Sequence, residues 1–146
     1  MPTLEISRVV PMSRPALFDL FSSPARLAEI SPPDALVLEQ GPERLTLGAV
    51  CHWKGRRWGL TQRMTTEVTE ICDNERIVQE QRRGPMRRWR HELTLADAPG
   101  GTLLTDHFDY DPPGGLLGLT VTAAVLERDL RQLLEERDRR MLATLS

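Results

Sequence analysis

The stretch TLLTDHFDYDPPGGLLGLTVTAAVLERDLRQLLEERDRRMLATL, residues 102–145, decides the fold of this chain. Its first ten residues alternate apolar and polar side chains, which predicts a β-strand. PPGG at 112–115 ends the strand, and residues 116–145 contain no proline and only one glycine, which predicts one helix of about 45 Å. The first half of this helix is apolar almost all round, and the second half is charged on all but one stripe. We therefore expect it to be buried at its amino end and solvated at its carboxyl end.

Shorter elements precede this segment. Residues 3–10 alternate in polarity and predict a first strand. Ser13 and Ser23, each followed by a proline within two residues, predict the starts of two short helices, and SPPD at 31–34 ends the second. Six further strand-like segments follow, the last of which is residues 102–111, and the breaks between them contain glycine, proline, aspartate or asparagine. Consecutive strands with tight breaks form an antiparallel meander, and the first strand can pair with the last.

This order of elements predicts an α+β protein with a helix-grip fold in a single domain, residues 1–146. A seven-stranded antiparallel sheet wraps around a long C-terminal helix, and two short helices follow the first strand. A curved sheet with a helix laid across it can enclose a cavity, so small-molecule binding is the leading hypothesis. An α+β sandwich with a solid core is the alternative, because both have the same apolar pattern.

Composition narrows the function classes. A net charge of −2 gives no general attraction to nucleic acid or to anionic membranes, and aromatic residues are too few on any outer face for nucleic-acid recognition. No apolar run reaches the roughly 18 residues of a membrane span, and no signal peptide is evident, so a cytoplasmic protein is expected.

Cys51 and Cys72 are expected to be free thiols. The three histidines lie on separate strands, so no metal and no cofactor are predicted. The oligomeric state is left open.

A polar cluster is expected on the inward face of the sheet. The Gly-Pro turn at 84–85 places Gln79 opposite His91, and the alternation of the last strand turns Asp106 inward with Phe108. A histidine beside a carboxylate in an apolar cavity can transfer protons, so His91 and Asp106 are the candidate catalytic pair. The same two residues can equally form a satisfied hydrogen bond that orients a ligand or fixes the sheet.

The same inward faces supply a candidate ligand-binding wall, in which Tyr110 is expected near the mouth. Aromatic and apolar side chains of this kind form either the wall of a hollow fold or an ordinary core. The predicted ligand-binding residues are Met64, Gln79, Trp89, His91, Phe108, Tyr110, Leu119, Ala123 and Leu126.

Arginines are expected to gather at one end of the sheet. Alternate turns of a meander lie at the same end, which brings two arginine-rich turns together near the start of the long helix. This anion rim consists of Arg56, Arg57, Arg87 and Arg88. It can attract the acidic group of a ligand or an acidic partner. Alternatively, these residues are solvated hairpin tips.

Three stretches resemble the START-like superfamily, also called SRPBCC, and the resemblance covers nearly the whole chain. Residues 7–33, SRVVPMSRPALFDLFSSPARLAEISPP, are similar to the strand, proline break and two short helices of that family. EQRRGPMRRWRHELTL at 80–95 and GGTLLTDHFDYDPPGGLLG at 100–118 resemble motifs of a bacterial subgroup labelled polyketide cyclase/dehydrase-like. The resemblance implies the helix-grip fold. It implies no activity, because the superfamily contains carriers, sensors and enzymes.

Three functional hypotheses follow. The favoured one is a carrier or sensor that binds a hydrophobic, lipid- or polyketide-like molecule, with or without an acidic group, between the C-terminal helix and the sheet. The second is an enzyme of cyclase or dehydratase type that uses His91 and Asp106. The third is a module that binds a protein partner and no ligand.

Overall fold

The structure, a computed structural model, describes residues 2–145. The elements in chain order are β1 Thr3–Val10, α1 Arg14–Phe21, α2 Pro24–Ile30, β2 Val37–Gln40, β3 Val50–Arg57, β4 Leu60–Cys72, β5 Arg76–Arg83, β6 Arg88–Ala98, β7 Gly101–Asp111, a 3-10 helix Leu117–Leu119 and α3 Ala123–Ala143. The strands form one antiparallel sheet in the order β1-β7-β6-β5-β4-β3-β2. The first strand pairs with the last, and the predicted α+β helix-grip fold is confirmed.

The two short helices begin where their caps predict. The Ser13 hydroxyl accepts a hydrogen bond from the N–H of Ala16 at 3.3 Å, and the Ser23 hydroxyl accepts one from Arg26 at 3.4 Å. Each bond satisfies a backbone donor that the first helical turn leaves unpaired. α1 buries apolar side chains such as Leu17 in the core, and both short helices pack against the sheet.

The C-terminal helix is shorter than predicted. α3 begins at Ala123 because Thr122 caps it, its hydroxyl accepting from the N–H of Val125 at 3.3 Å. Its 21 residues span about 31 Å. The apolar segment before it is buried only in part, since Val121 is 1% exposed but Leu116 and Leu119 are 85% and 76% exposed.

The chain before α3 folds back on itself. A Cβ at position 118 would lie 2.3 Å from the carbonyl oxygen of Pro113, so this close approach requires a glycine. The backbone N–H of Gly118 also donates to the carbonyl of Gly114 at 3.3 Å. These contacts form a tight turn and a short 3-10 helix, which prevents the regular helix from starting at residue 116.

Replacing Thr122 with alanine tests where α3 begins. The change removes the cap and should lower the free energy of unfolding by about 1 kcal/mol, measured by urea denaturation. Thr122→Asp, which keeps an acceptor at the cap, should retain most of the stability. Equal stability of Thr122→Ala and the parent protein would show that the helix does not begin there.

Candidate functional site

A cavity of about 220 Å³ lies between the sheet and α3. Its wall is formed by side chains of α2, of strands β3 to β7 and of α3, most of them apolar or aromatic. α3 presents one face to it, with residues three or four apart: Leu126, Leu130, Leu133, Leu134 and Arg137. The cavity is partly open to solvent. Its volume is below the few hundred Å³ of most ligand sites, so it suits a compact ligand.

Six of the predicted ligand-binding residues lie in the cavity wall. They are Met64, Gln79, Trp89, His91, Phe108 and Leu126. The His91 ring stacks on Phe108 with centroids 4.4 Å apart and planes 12° apart, and Trp89 lies 5.9 Å from each of these rings. The aromatic group therefore forms one continuous part of the wall.

The other three predicted wall residues lie outside the cavity lining. Leu119 belongs to the exposed 3-10 helix. Ala123 is the first residue of α3, and its carbonyl accepts a hydrogen bond from the Tyr110 hydroxyl at 3.5 Å. Tyr110 is 2% exposed and lies outside the cavity lining, where it connects β7 to the start of α3. Burial raises the pKa of its hydroxyl.

The predicted register places the polar cluster correctly. Gln79 is opposite His91 in the β5–β6 pair, and His91 is opposite Phe108 in the β6–β7 pair. The Nε2 atom of His91 lies 2.6 Å from Oδ1 of Asp106. His91 lines the cavity, whereas the Asp106 side chain is fully buried behind it.

Two arginines that the sequence analysis did not single out complete this cluster. Arg137 of α3 donates to Oδ1 and Oδ2 of Asp106 at 3.0 and 2.8 Å. Nη1 of Arg8 on β1 lies 2.7 Å from Oδ2 of the same carboxylate. Arg8 also binds Asp138 through two hydrogen bonds of 2.6 and 3.0 Å. Asp106 therefore connects β1, β6 and α3 to its own strand.

A signal for both arginines was present in the sequence. Arg137 continues the apolar stripe of α3, three residues after Leu134 and four before Met141. Arg8 occupies an inward position of β1 two residues before the buried Val10. A charged residue at a buried position requires a buried partner of opposite charge.

The protonation of this cluster follows from its charges. Burial alone would raise the pKa of the Asp106 carboxyl, but the charge of Arg137 and the hydrogen bond from His91 hold that pKa well below its usual value. Burial would lower the pKa of Arg137, but Asp106 and Asp138 raise it. The Arg137 guanidinium also lies 4.8 Å from the centre of the Phe21 ring, a favourable cation–π contact. Asp106 is therefore ionised at neutral pH and accepts hydrogen bonds.

The tips of two hairpins, β3–β4 and β5–β6, border the cavity. Trp58 and Gly59 form the β3–β4 turn with φ angles of 54° and 74°, and such left-handed conformations are usual in two-residue hairpins. The Trp58 indole N–H donates to Oδ2 of Asp129 on α3 at 3.1 Å, which connects this tip to the helix. Met86 of the β5–β6 turn lies in the same wall.

The structure brings one residue of the predicted anion rim to the cavity. Arg57 lines it together with Lys54. Arg56 and Arg87 are exposed outside the lining, and Nε of Arg88 lies 3.8 Å from an Asp111 carboxylate oxygen.

Cys51 is buried and Cys72 exposed, both as free thiols, and burial raises the pKa of Cys51 to about 11. Among residues 2–145, no group of three or more histidine, cysteine, aspartate or glutamate side chains is arranged to hold a metal ion. Within that same part of the chain, no helix combines the length and the apolar character needed to cross a membrane.

Comparisons with known proteins agree with this architecture. The family described as "Polyketide cyclase / dehydrase and lipid transport" matches residues 10–137. The chain therefore belongs to this family, which confirms the START-like resemblance. No curated protein matches the chain.

Several solved structures share the fold. Major latex-like protein 151 from Panax ginseng is 16% identical, with a TM-score of 0.75 over 98% of this chain and 96% of that one. The protein TTHA0849 from Thermus thermophilus is also 16% identical, with a TM-score of 0.73 over 99% of this chain and 100% of that one. CV1439 from Chromobacterium violaceum is 17% identical, with a TM-score of 0.74 over 99% and 97%. At these identities the similarity shows the fold alone.

Asp106→Asn tests the buried charge cluster. The change removes the fully buried carboxylate that Arg137 shares with Arg8 and His91, and leaves Arg137 only the partly exposed Asp138 as a charged partner. The free energy of unfolding at neutral pH should therefore fall by about 3–5 kcal/mol in urea denaturation. Asp97→Asn, which breaks the Arg14–Asp97 pair at a side chain that is 81% exposed, should cost at most about 1 kcal/mol.

The same variant should change the response to acid. Because the folded pKa of Asp106 is depressed, its ionised form stabilises the folded state above the unfolded pKa of about 4. That contribution is lost as pH falls through the folded pKa. The stability of Asp106→Asn should therefore decrease less steeply below about pH 5 than that of the parent protein. Parallel pH profiles would contradict the depressed pKa.

Proposed function

We propose that this protein is a carrier or sensor that binds a hydrophobic small molecule between α3 and the sheet. The cavity of about 220 Å³ is the observation that supports this function. Its wall is mainly apolar and aromatic with a few polar groups, which is the usual composition of a ligand site. Met64 and Met86 in the wall can adapt to ligands of different shape, since methionine has a flexible and polarisable side chain. Lipid- or polyketide-like molecules are consistent with the family, and the proposed location is the cytoplasm.

Cationic side chains in the wall support the proposal that the ligand carries an acidic group. Lys54 and Arg57 line the cavity, and neither forms an ion pair with any other residue in the range 2–145. Both are partly exposed, so solvent and salt screen their charges. They would therefore contribute modestly to affinity and more to the orientation of a ligand, with its acidic group toward the two hairpin tips.

The two alternatives fit the structure less well. A cyclase or dehydratase needs His91 to face the cavity, which it does. Its partner Asp106, however, is bound by Arg137 and Arg8, so the carboxylate positions the ring and is poorly suited to exchanging protons. A module that only binds a protein partner would not need an internal cavity.

A cavity-filling variant tests ligand binding. Leu130→Trp places a larger ring in the cavity wall and should weaken the binding of naphthalene, followed by ligand-observed NMR titration, by at least about tenfold. Leu142→Trp is the matched control, because Leu142 lies on the same helix, is 41% exposed and is outside the lining. It should bind as the parent protein does. If Leu130→Trp retained full affinity, the ligand site would not be this cavity.

A carboxylic acid and its neutral methyl ester together test whether Arg57 contacts an acidic group of the ligand. Arg57→Gln should weaken binding of 2-naphthoate about two- to fivefold at low salt, the range of a partly exposed ion pair, and leave the neutral methyl 2-naphthoate unchanged. Arg87→Gln, at the same end of the sheet but outside the lining, should leave both affinities unchanged. Calorimetric titration measures each value, and equal losses for acid and ester would exclude a charge contact.

A further inference from the structure

Two polar side chains stand next to each other in the apolar wall. Gln79 and His91 are directly opposite in the β5–β6 pair, and both line the cavity. Opposite residues of an antiparallel pair point to the same face with Cβ atoms about 5 Å apart. Their hydrogen-bonding groups can therefore reach one small group of a ligand at the same time.

The buried charge cluster fixes which nitrogen of His91 carries a proton. Asp106 is a carboxylate that accepts from Arg137 and Arg8, so it can only accept from His91 as well. Nε2 of the ring, at 2.6 Å, is therefore protonated. In the neutral ring the other nitrogen, Nδ1, is then a hydrogen-bond acceptor. It has no hydrogen-bond partner among residues 2–145.

A second chain of hydrogen bonds orients the Gln79 amide. The buried indole N–H of Trp53 can only donate, and it donates to the Thr66 hydroxyl at 3.1 Å. The Thr66 hydroxyl in turn donates its proton to Oε1 of Gln79 at 3.4 Å. The NH₂ group of Gln79 remains as a donor, and it too has no partner in the range 2–145. Neither this group nor Nδ1 of His91 is a sealed, unsatisfied polar atom, so both remain accessible.

We propose that Gln79 and His91 bind a hydroxyl group of the ligand, an alcohol or a phenol on an otherwise apolar skeleton. This inference rests on the proposed ligand-binding function and specifies its chemistry. The hydroxyl oxygen accepts from the Gln79 amide, and the hydroxyl proton is donated to Nδ1 of His91. An ether can make the first bond only, and a carboxylate cannot donate to neutral His91. His91 is thus a specificity residue, and Asp106 and Arg137 are positioning residues that act through it.

Three probes of similar size separate these contributions. Calorimetric titration of the parent protein at neutral pH should show 2-naphthol binding about tenfold more tightly than 2-methoxynaphthalene, since a hydroxyl makes one more buried hydrogen bond. Naphthalene should bind more weakly than either. Equal affinity for 2-naphthol and naphthalene would overturn the hydroxyl site and leave the cavity function standing. Failure of all three to bind would overturn both proposals.

Two variants assign the bonds to their residues. Gln79→Met removes the donor and should lower the affinities for 2-naphthol and 2-methoxynaphthalene by a similar factor. The affinity for naphthalene should not change. His91→Phe removes the acceptor and should abolish the preference for 2-naphthol over 2-methoxynaphthalene. If the preference survived in His91→Phe, Nδ1 would not be the acceptor and the proposal would be wrong.

NMR of the parent protein gives a readout that does not depend on a variant folding. Long-range ¹H–¹⁵N correlation spectra report which ring nitrogen of each histidine is protonated, and comparison with His91→Phe assigns the His91 signals. We expect a protonated Nε2 and a bare Nδ1, with the Nδ1 signal shifting on addition of 2-naphthol and not of naphthalene. A protonated Nδ1 in the ligand-free protein, or no difference between the two probes, would overturn the proposal.

Discussion

The ionised Asp106 carboxylate, buried at the centre of the fold, is the constraint on which the rest of the structure depends. An unpaired charge in this position would cost several kcal/mol, so the chain must bring its partners to it. Arg137 arrives from α3, Arg8 from β1 and His91 from β6. These contacts fix the helix across the sheet and join the first and last strands in one arrangement. The cluster therefore sets the geometry that an apolar core alone would leave adjustable.

The cavity is a consequence of how α3 is held. Near its carboxyl end the helix is fixed by Arg137, and near its amino end by hydrogen bonds to Tyr110 and Trp58. Between these points its leucines face the sheet across space that side chains do not fill. His91 lies where the charged cluster meets this space, so the cluster that stabilises the fold also determines which hydrogen bonds the wall can offer a ligand.

Local patterns were reliable where the structure is locally determined. The alternation of apolar and polar side chains along β5, β6 and β7 predicted which residues face inward. The Gly-Pro turn between β5 and β6 predicted the pairing of Gln79 with His91 that the structure has. The prediction failed at residues 116–122, where apolar composition suggested helix. The close approach of Gly118 to the Pro113 carbonyl and the Thr122 cap decide otherwise. Leu119, which was assigned to the wall, lies on the exposed 3-10 helix instead.

The sequence by itself determined the seven strands, their order and the neighbourhood of His91 and Asp106, because strand period and turn position act over a few residues. Only the tertiary structure decided the partners of Asp106, since Arg137 is 31 residues away along the chain and Arg8 is bound to Asp138 across 130 residues. Spacing along the chain can mark Arg8 and Arg137 as inward residues, but it cannot show which carboxylate they contact. It also cannot show whether apolar faces meet completely or enclose a cavity, because that depends on how far apart the buried charges and caps hold the helix and the sheet.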